Sequence, residues 1–216
     1  RHHSAELEDI GARQVLGALD DDGKVLQALD GVDAVIHNAA MASGWGAWED
    51  YYRTNVTGTN CLLQACRASN IRRFVYTSTP SVVHAGRHAV AGGNESNTPY
   101  GRHFSAHYPH TKMLAERAVL AANDAKLATV ALRPRLIWGP GDTQLLPRLV
   151  ERAKAGRLRF IGDGNNRMDC TYIDNVVDAH LLALARIEPG AACAGKAYFI
   201  SNGEPWPIRD IVNGLL

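Results

Sequence analysis

Val32-Asp33-Ala34-Val35-Ile36-His37-Asn38-Ala39-Ala40 carries the reading of the fold. Its apolar, β-branched run predicts a strand over Val32 to His37, closed by the small residues that follow. Just upstream, Asp20-Asp21-Asp22 offers N-caps, Lys24 to Leu29 repeats apolar residues at helical spacing, and Gly31 ends that helix. Ala12 to Gly17 reads as one more strand before it. Strand, helix and strand in succession predict a parallel sheet with crossover helices, an α/β fold.

The alternation continues downstream. Met41 to Trp48 reads as a loop, and Trp48 to Ser69 as a helix with Tyr52, Val56, Leu62, Leu63 and Cys66 on related faces. Asn55 and Gly58 stand inside that helix, where both are poor residues, so close packing or function put them there. Phe74 to Thr79 is the next strand and ends in three hydroxyls. A long Gly- and His-rich loop then runs to His107, and Tyr108 opens a helix that Asn123-Asp124 ends. Ala128 to Arg133 is another strand, with Pro134 expected to stop its pairing. Beyond it come a helix over Leu145 to Ala155, a short strand and turn within Arg157 to Gly164, and a helix from Val176 to Leu184. A last strand, Ala197 to Ile200, and a helix from Pro207 close the chain.

Composition narrows the function. The chain has 216 residues, 46% apolar and 21% charged, enough for a sizeable core. A formal net charge of +1 gives no bulk attraction to nucleic acid or acidic lipid. No apolar run is long enough to span a membrane and no signal peptide opens the chain, so a cytoplasmic location is expected. Cys61, Cys66, Cys170 and Cys193 lack zinc-type spacing, and His2-His3 has no further ligands nearby, so no metal site is expected.

Tyr108-Pro109-His110-Thr111-Lys112 is the chemical centre. Four residues apart on a helix, Tyr108 and Lys112 share one face. An ammonium beside a phenol favours the phenolate and lowers its pKa, which suits proton exchange with a substrate oxygen. The spacing alone also fits an ordinary amphipathic surface helix.

Taken in order, His37-Asn38-Ala39-Ala40, Asn55-Val56-Thr57-Gly58-Thr59, Tyr76-Thr77-Ser78-Thr79, Tyr108 with Lys112, Arg133-Pro134 with Trp138-Gly139-Pro140, and Asp169 to Asp174 resemble the extended short-chain dehydrogenase/reductase family. Trp45-Gly46, Tyr51-Tyr52 and Thr79-Pro80-Ser81-Val82-Val83 are most similar to its branch of 3β-hydroxysteroid and sterol-carboxylate dehydrogenases, and there to bacterial 2-alkyl-3-oxoalkanoate reductases of olefin biosynthesis. The resemblance implies a Rossmann-like, doubly wound parallel sheet, with residues 1–140 as a dinucleotide-binding core and 141–216 as a mixed substrate-binding region with the last core elements. It implies NADP, with NAD as the other choice, and reduction of a lipid-like β-keto acid to a β-hydroxy acid. It also implies a homodimer, with other enzymes of the same pathway as possible partners.

The resemblance further assigns residues. Tyr108 donates the proton, Lys112 tunes it and bonds the nicotinamide ribose, and Thr79 bonds the substrate carbonyl, with Ser78 and Ser81 as alternatives. Asn55 orients Lys112 through water, or simply packs the helix. Ala39, Ala40, Thr77, Ser78, Pro134, Leu136 and Ile137 line the cofactor; Ser81, Trp45 and Trp138 line the substrate. Two departures stand out. The family's opening strand, Gly-rich turn and helix have no counterpart, so about 50 further residues are expected upstream, room for a strand–helix–strand unit of roughly 30 residues or more. Arg1 would then lie near the second strand and meet a 2′-phosphate, which favours NADP. Gly17-Ala18-Leu19 also replaces the family's Gly-Asp-Leu, with Asp20 as a possible substitute at the adenine. A sterol dehydrogenase, a sugar-nucleotide epimerase and a cofactor-sensing protein without turnover are the competing readings.

Overall fold

The computed structural model describes residues 3–42, 45–84, 90–143, 145–160 and 162–216. The chain runs through α1 (Ala5–Asp9), α2 (Asp22–Ala28), β1 (Ala34–His37) and α3 (Trp48–Tyr52). A π-helical turn (Arg53–Thr57) joins α3 to α4 (Gly58–Ala68); β2 (Arg73–Thr77), a 3₁₀ turn (Pro80–Val82), α5 (His107–Ala121) and β3 (Ala128–Pro134) follow. Next come β4 (Ile137–Trp138), α6 (Leu145–Lys154), β5 (Arg167–Met168), β6 (Thr171–Tyr172) and α7 (Ile173–Arg186). The chain finishes with β7 (Lys196–Ile200), β8 (Trp206–Pro207) and α8 (Ile208–Leu215).

Four strands form one parallel sheet in the order β1-β2-β3-β7. Register places Phe74 between Val35 and Thr129, and Leu132 beside Tyr198. Both faces are covered, so the central strands read as nearly unbroken apolar runs. Phe74 and Tyr76 point to one face, where Val25, Leu62, Leu63, Cys66, Ala115 and Val119 close the core. Val75 points to the other, with Val130, Leu132 and Ile187 packed against Ala179, Ala183 and Leu184 of α7. Helices on both faces make the sheet doubly wound. Two small ribbons, β4 with β6 and β5 with β8, stand apart from it.

The long predicted helix is present, but its middle widens into the π turn around Asn55. Extra residues of this kind inside helices tend to sit at functional sites. Gly58 has a packing cause: a Cβ there would lie 2.6 Å from Leu19 Cβ.

Three expectations need correction. Ala12 to Gly17 is irregular rather than a strand. Among the described residues β1 is the edge of the sheet and no strand pairs with its outer side, so the segment has no ladder to join. Side chains fasten it instead: Gln14 bonds both backbone groups of Ser4, and the Arg13 guanidinium donates to the carbonyls of Ala28 and Asp30. Pro134 does not stop β3 but forms its last pair, with Ile200, and the missing donor is replaced by the Arg135 amide at 3.0 Å from the Ile200 carbonyl. The described part of Arg157 to Gly164 contains no strand; the ribbon forms later, at β5. Among the described residues no helix is long and apolar enough to cross a membrane, and no group of three or more His, Cys, Asp or Glu could hold a metal.

Candidate active site

The hydroxyl-bearing end of β2 is the floor of the site. In an open parallel sheet, ligands bind beyond the carboxyl ends of the strands. There Lys112, 2% exposed on α5, donates from Nζ to the Thr77 carbonyl at 2.7 Å and lies 4.1 Å from the centre of the Tyr76 ring. Burial lowers its pKa to about 7, against the opposing pull of Glu116. The Thr77 hydroxyl lies 2.7 Å from His180 Nε2, and His180 Nδ1 lies 2.7 Å from the Val176 carbonyl. That carbonyl only accepts, so Nδ1 carries the proton and α7 is tied to the end of β2.

Tyr108 sits in the first turn of α5, where the Thr79 hydroxyl pulls its pKa down against burial. Thr79 is itself fixed by the 3₁₀ turn it caps: Oγ1 accepts from the Ser81 amide at 3.3 Å and donates to Ser81 Oγ at 3.2 Å. The structure thus brings Tyr108, Thr79 and Ser81 together. It does not turn Lys112 onto the phenol. Burial raises the Tyr108 pKa, with the Thr79 hydroxyl pulling it down, so the expected depression by Lys112 is corrected here. The ammonium is engaged by the Thr77 carbonyl and the Tyr76 ring instead.

Of the two readings of Asn55, its contacts fit packing. Its amide nitrogen donates to the Met41 carbonyl and to Thr111 Oγ1, and its oxygen accepts from the Met41 amide at 2.7 Å. Both amide hydrogens are used, so the side chain staples the loop after β1 to α5 rather than orienting Lys112.

The remaining predicted contacts spread along the same edge. Ala39 and Ala40, half-buried, follow β1. Ser78 is buried and its Oγ has no partner among the described residues. Pro134 is buried, Leu136 is half-buried and Ile137 is exposed. Trp45 is 92% exposed. Trp138 packs edge-on to Tyr172 and lines a pocket of about 290 Å³ with Cys170, Trp206 and Ile211. Arg1 lies outside the described residues. An orphaned Ser78 hydroxyl, small residues after β1 and a buried ammonium fit the nicotinamide-ribose half of a dinucleotide. The described residues offer no glycine-rich strand-to-helix turn for its pyrophosphate.

Several supporting residues escaped the sequence reading. His37, 3% exposed, donates from Nε2 to Thr59 Oγ1 at 2.9 Å, and Thr59 donates to the Asn55 carbonyl at 2.6 Å. Burial, helped by Lys112, lowers the His37 pKa to about 3, so the ring stays neutral. Glu116 takes the Arg133 guanidinium through both carboxylate oxygens, at 2.6 and 3.0 Å, and accepts from the Tyr100 hydroxyl at 2.7 Å. The available signal was spacing: Glu116 continues the Tyr108–Lys112 stripe by one more turn, and Arg133 ends an otherwise apolar strand.

Residues 2–216 match the 3-beta hydroxysteroid dehydrogenase/isomerase family. The chain is 59% identical over 216 residues to a 2-alkyl-3-oxoalkanoate reductase of Stenotrophomonas maltophilia, covering 100% of this chain and 66% of that protein. It is 43% identical over 219 residues to a 2-alkyl-3-oxoalkanoate reductase of Shewanella oneidensis, covering 98% of this chain and 56% of that one. The chain therefore spans between about half and two thirds of the length of these curated relatives. Among solved structures, the dTDP-glucose 4,6-dehydratase DesIV of Streptomyces venezuelae, determined with NAD and DAU bound, superimposes with a TM-score of 0.81 at 27% identity, covering 98% of this chain and 65% of that one.

Proposed function

The chain belongs to the 3-beta hydroxysteroid dehydrogenase/isomerase family, and we propose that it reduces the ketone of a 2-alkyl-3-oxoalkanoate to a hydroxyl with NADPH. The observation that carries this reading is Tyr108 at the start of α5, close enough for the Thr79 hydroxyl to act on its phenol, with buried Lys112 one turn along the same helix. The two relatives named as 2-alkyl-3-oxoalkanoate reductases support the substrate class.

The chemistry follows from those groups. When bound, the dinucleotide supplies the hydride. The carbonyl oxygen accepts hydrogen bonds from Tyr108 and from the Thr79 hydroxyl, whose proton turns to it from Ser81 Oγ, and charge develops on it as the hydroxyl forms. Tyr108 transfers its proton to that oxygen. A phenol whose pKa is raised by burial is fully protonated at neutral pH, yet still acidic enough to protonate an alkoxide. Lys112, with donors beyond the one given to the Thr77 carbonyl, holds the nicotinamide ribose. Ser78, with its unpartnered hydroxyl, is a further contact for the nicotinamide end.

NADP rather than NAD rests on the branch resemblance. A cytoplasmic homodimer that pairs through the Trp48–Ala68 segment and α5 completes the proposal. The test is a substrate panel: full-length protein with NADPH or NADH, offered a 2-alkyl-3-oxoalkanoate, a 3-oxosterol or UDP-glucose. Loss of reduced-nicotinamide absorbance with the β-keto acid is expected. Turnover of UDP-glucose alone would replace this reading with that of an epimerase, and dinucleotide binding without any turnover would point to a sensing protein.

A further inference from the structure

Leu136, in the turn between β3 and β4, has φ of 38°, within the left-handed region. A branched apolar side chain stays there only where its surroundings over-determine it. Here the surroundings are largely one residue. Thr171, fully buried at the start of β6, places its hydroxyl 2.8 Å from the Arg135 carbonyl and 3.0 Å from the Ile200 carbonyl. Its amide donates to the Leu136 carbonyl at 3.2 Å, and the Arg135 amide donates to Ile200 at 3.0 Å. A single hydroxyl proton is shared between two carbonyls, so three segments meet at one side chain: the turn, β6 and the end of β7. Gly139 closes the far side of the turn. A Cβ there would approach Ile173 Cγ2 to 2.5 Å, which presses β4 against the start of α7.

We propose that Thr171 is a positioning residue that clamps the Pro134-Arg135-Leu136-Ile137 backbone into the shape that receives the dinucleotide at the carboxyl end of β3. It acts through the turn and touches neither cofactor nor substrate. The proposal rests on the reading that this turn lines the dinucleotide site. Its physical logic is pre-organisation: a strained backbone held in place before binding need not be ordered during it.

The test uses full-length protein and NADPH affinity measured by titration calorimetry, beside the KM for the ketone at saturating NADPH. Thr171→Val keeps the shape and removes the hydroxyl. It is expected to weaken NADPH binding by about five- to tenfold, the equivalent of one neutral hydrogen bond, and to move the ketone KM less. Thr171→Ser keeps the hydroxyl and is expected to bind within about twofold of the parent on the same scale. Leu136→Gly beside Leu136→Ala gives a second arm that survives a failure of Thr171→Val to fold: both lose the side chain but only glycine frees the turn, so NADPH affinity falls further in Leu136→Gly than in Leu136→Ala. A Thr171→Val protein with lowered melting temperature but unchanged NADPH affinity, or a Leu136→Gly protein that binds NADPH no more weakly than Leu136→Ala, would overturn the clamp. A parent protein that binds no dinucleotide would instead overturn the site reading itself, and the clamp with it.

Discussion

The Lys112 ammonium donates to the Thr77 carbonyl at 2.7 Å, which fastens α5 to the end of β2. This contact lies in a buried place, and burial lowers the lysine from its ordinary 10.5 to about 7. The stability consequence has a definite sign. Between about 7 and 10.5 the unfolded chain binds the proton more tightly than the folded one, so this residue's unfavourable contribution fades as pH rises through that window. Below about 7 the cost of burying the ammonium is fully present. Lys112→Met is therefore expected to melt above the parent near neutral pH and below, with the gain shrinking towards pH ~10. Paired thermal melts across that range check it; a gain that grows with pH would contradict the burial account.

The Glu116–Arg133 pair is almost completely buried, with side-chain exposures of 0% and 6%. Removing one partner leaves an uncompensated charge among Tyr100, Phe199 and the core. Arg133→Met should cost about 3–5 kcal/mol in denaturant unfolding. Tyr100→Phe, which deletes only the hydroxyl bond to Glu116, should cost about 1–3 kcal/mol.

Gly58 tests the packing account of the long helix. Alanine is the better helix former, yet its Cβ would meet Leu19 at 2.6 Å. Gly58→Ala is expected to destabilise by about 1–3 kcal/mol. Leu19→Gly in the same chain, which removes that Cβ, should recover part of that loss, a coupling that a double-mutant cycle measures.

Much of this was legible from the chain. Strand and helix order followed from apolar periodicity, because both faces of the sheet are covered and each central strand must be apolar throughout. Tyr108 and Thr79 were legible because one lies at a helix start and the other just past a strand end, positions that topology brings to one edge. Ala12 to Gly17 was misread because a strand needs a neighbour as well as a pattern, and the pattern carries no information about the neighbour. Lys112 was misdirected for a related reason. Helical spacing fixes which face a side chain occupies, but the Thr77 carbonyl and the Tyr76 ring, 35 residues or more away in sequence, decide where its ammonium ends. His37, Thr59 and His180 act through contacts between distant elements, which no local motif encodes.

Thr79 separates the hydroxyl's role from its shape. Thr79→Val removes the hydroxyl that acts on the phenol and the cap of the 3₁₀ turn, and should lower kcat/KM roughly 10²–10³-fold, in line with loss of one donor to a developing oxyanion. Thr79→Ser keeps the hydroxyl and should stay within about tenfold of the parent. Steady-state kinetics on both variants check the pair, and equal activity in Thr79→Val would remove Thr79 from the site.

The central claim is that Tyr108 delivers the proton. Its direct test is NADPH oxidation by full-length Tyr108→Phe with a 2-alkyl-3-oxoalkanoate, beside NADPH affinity measured on the same preparation. The account predicts a rate loss of about 10²–10⁴-fold with affinity for NADPH kept within a few-fold. Parental turnover in Tyr108→Phe would contradict it.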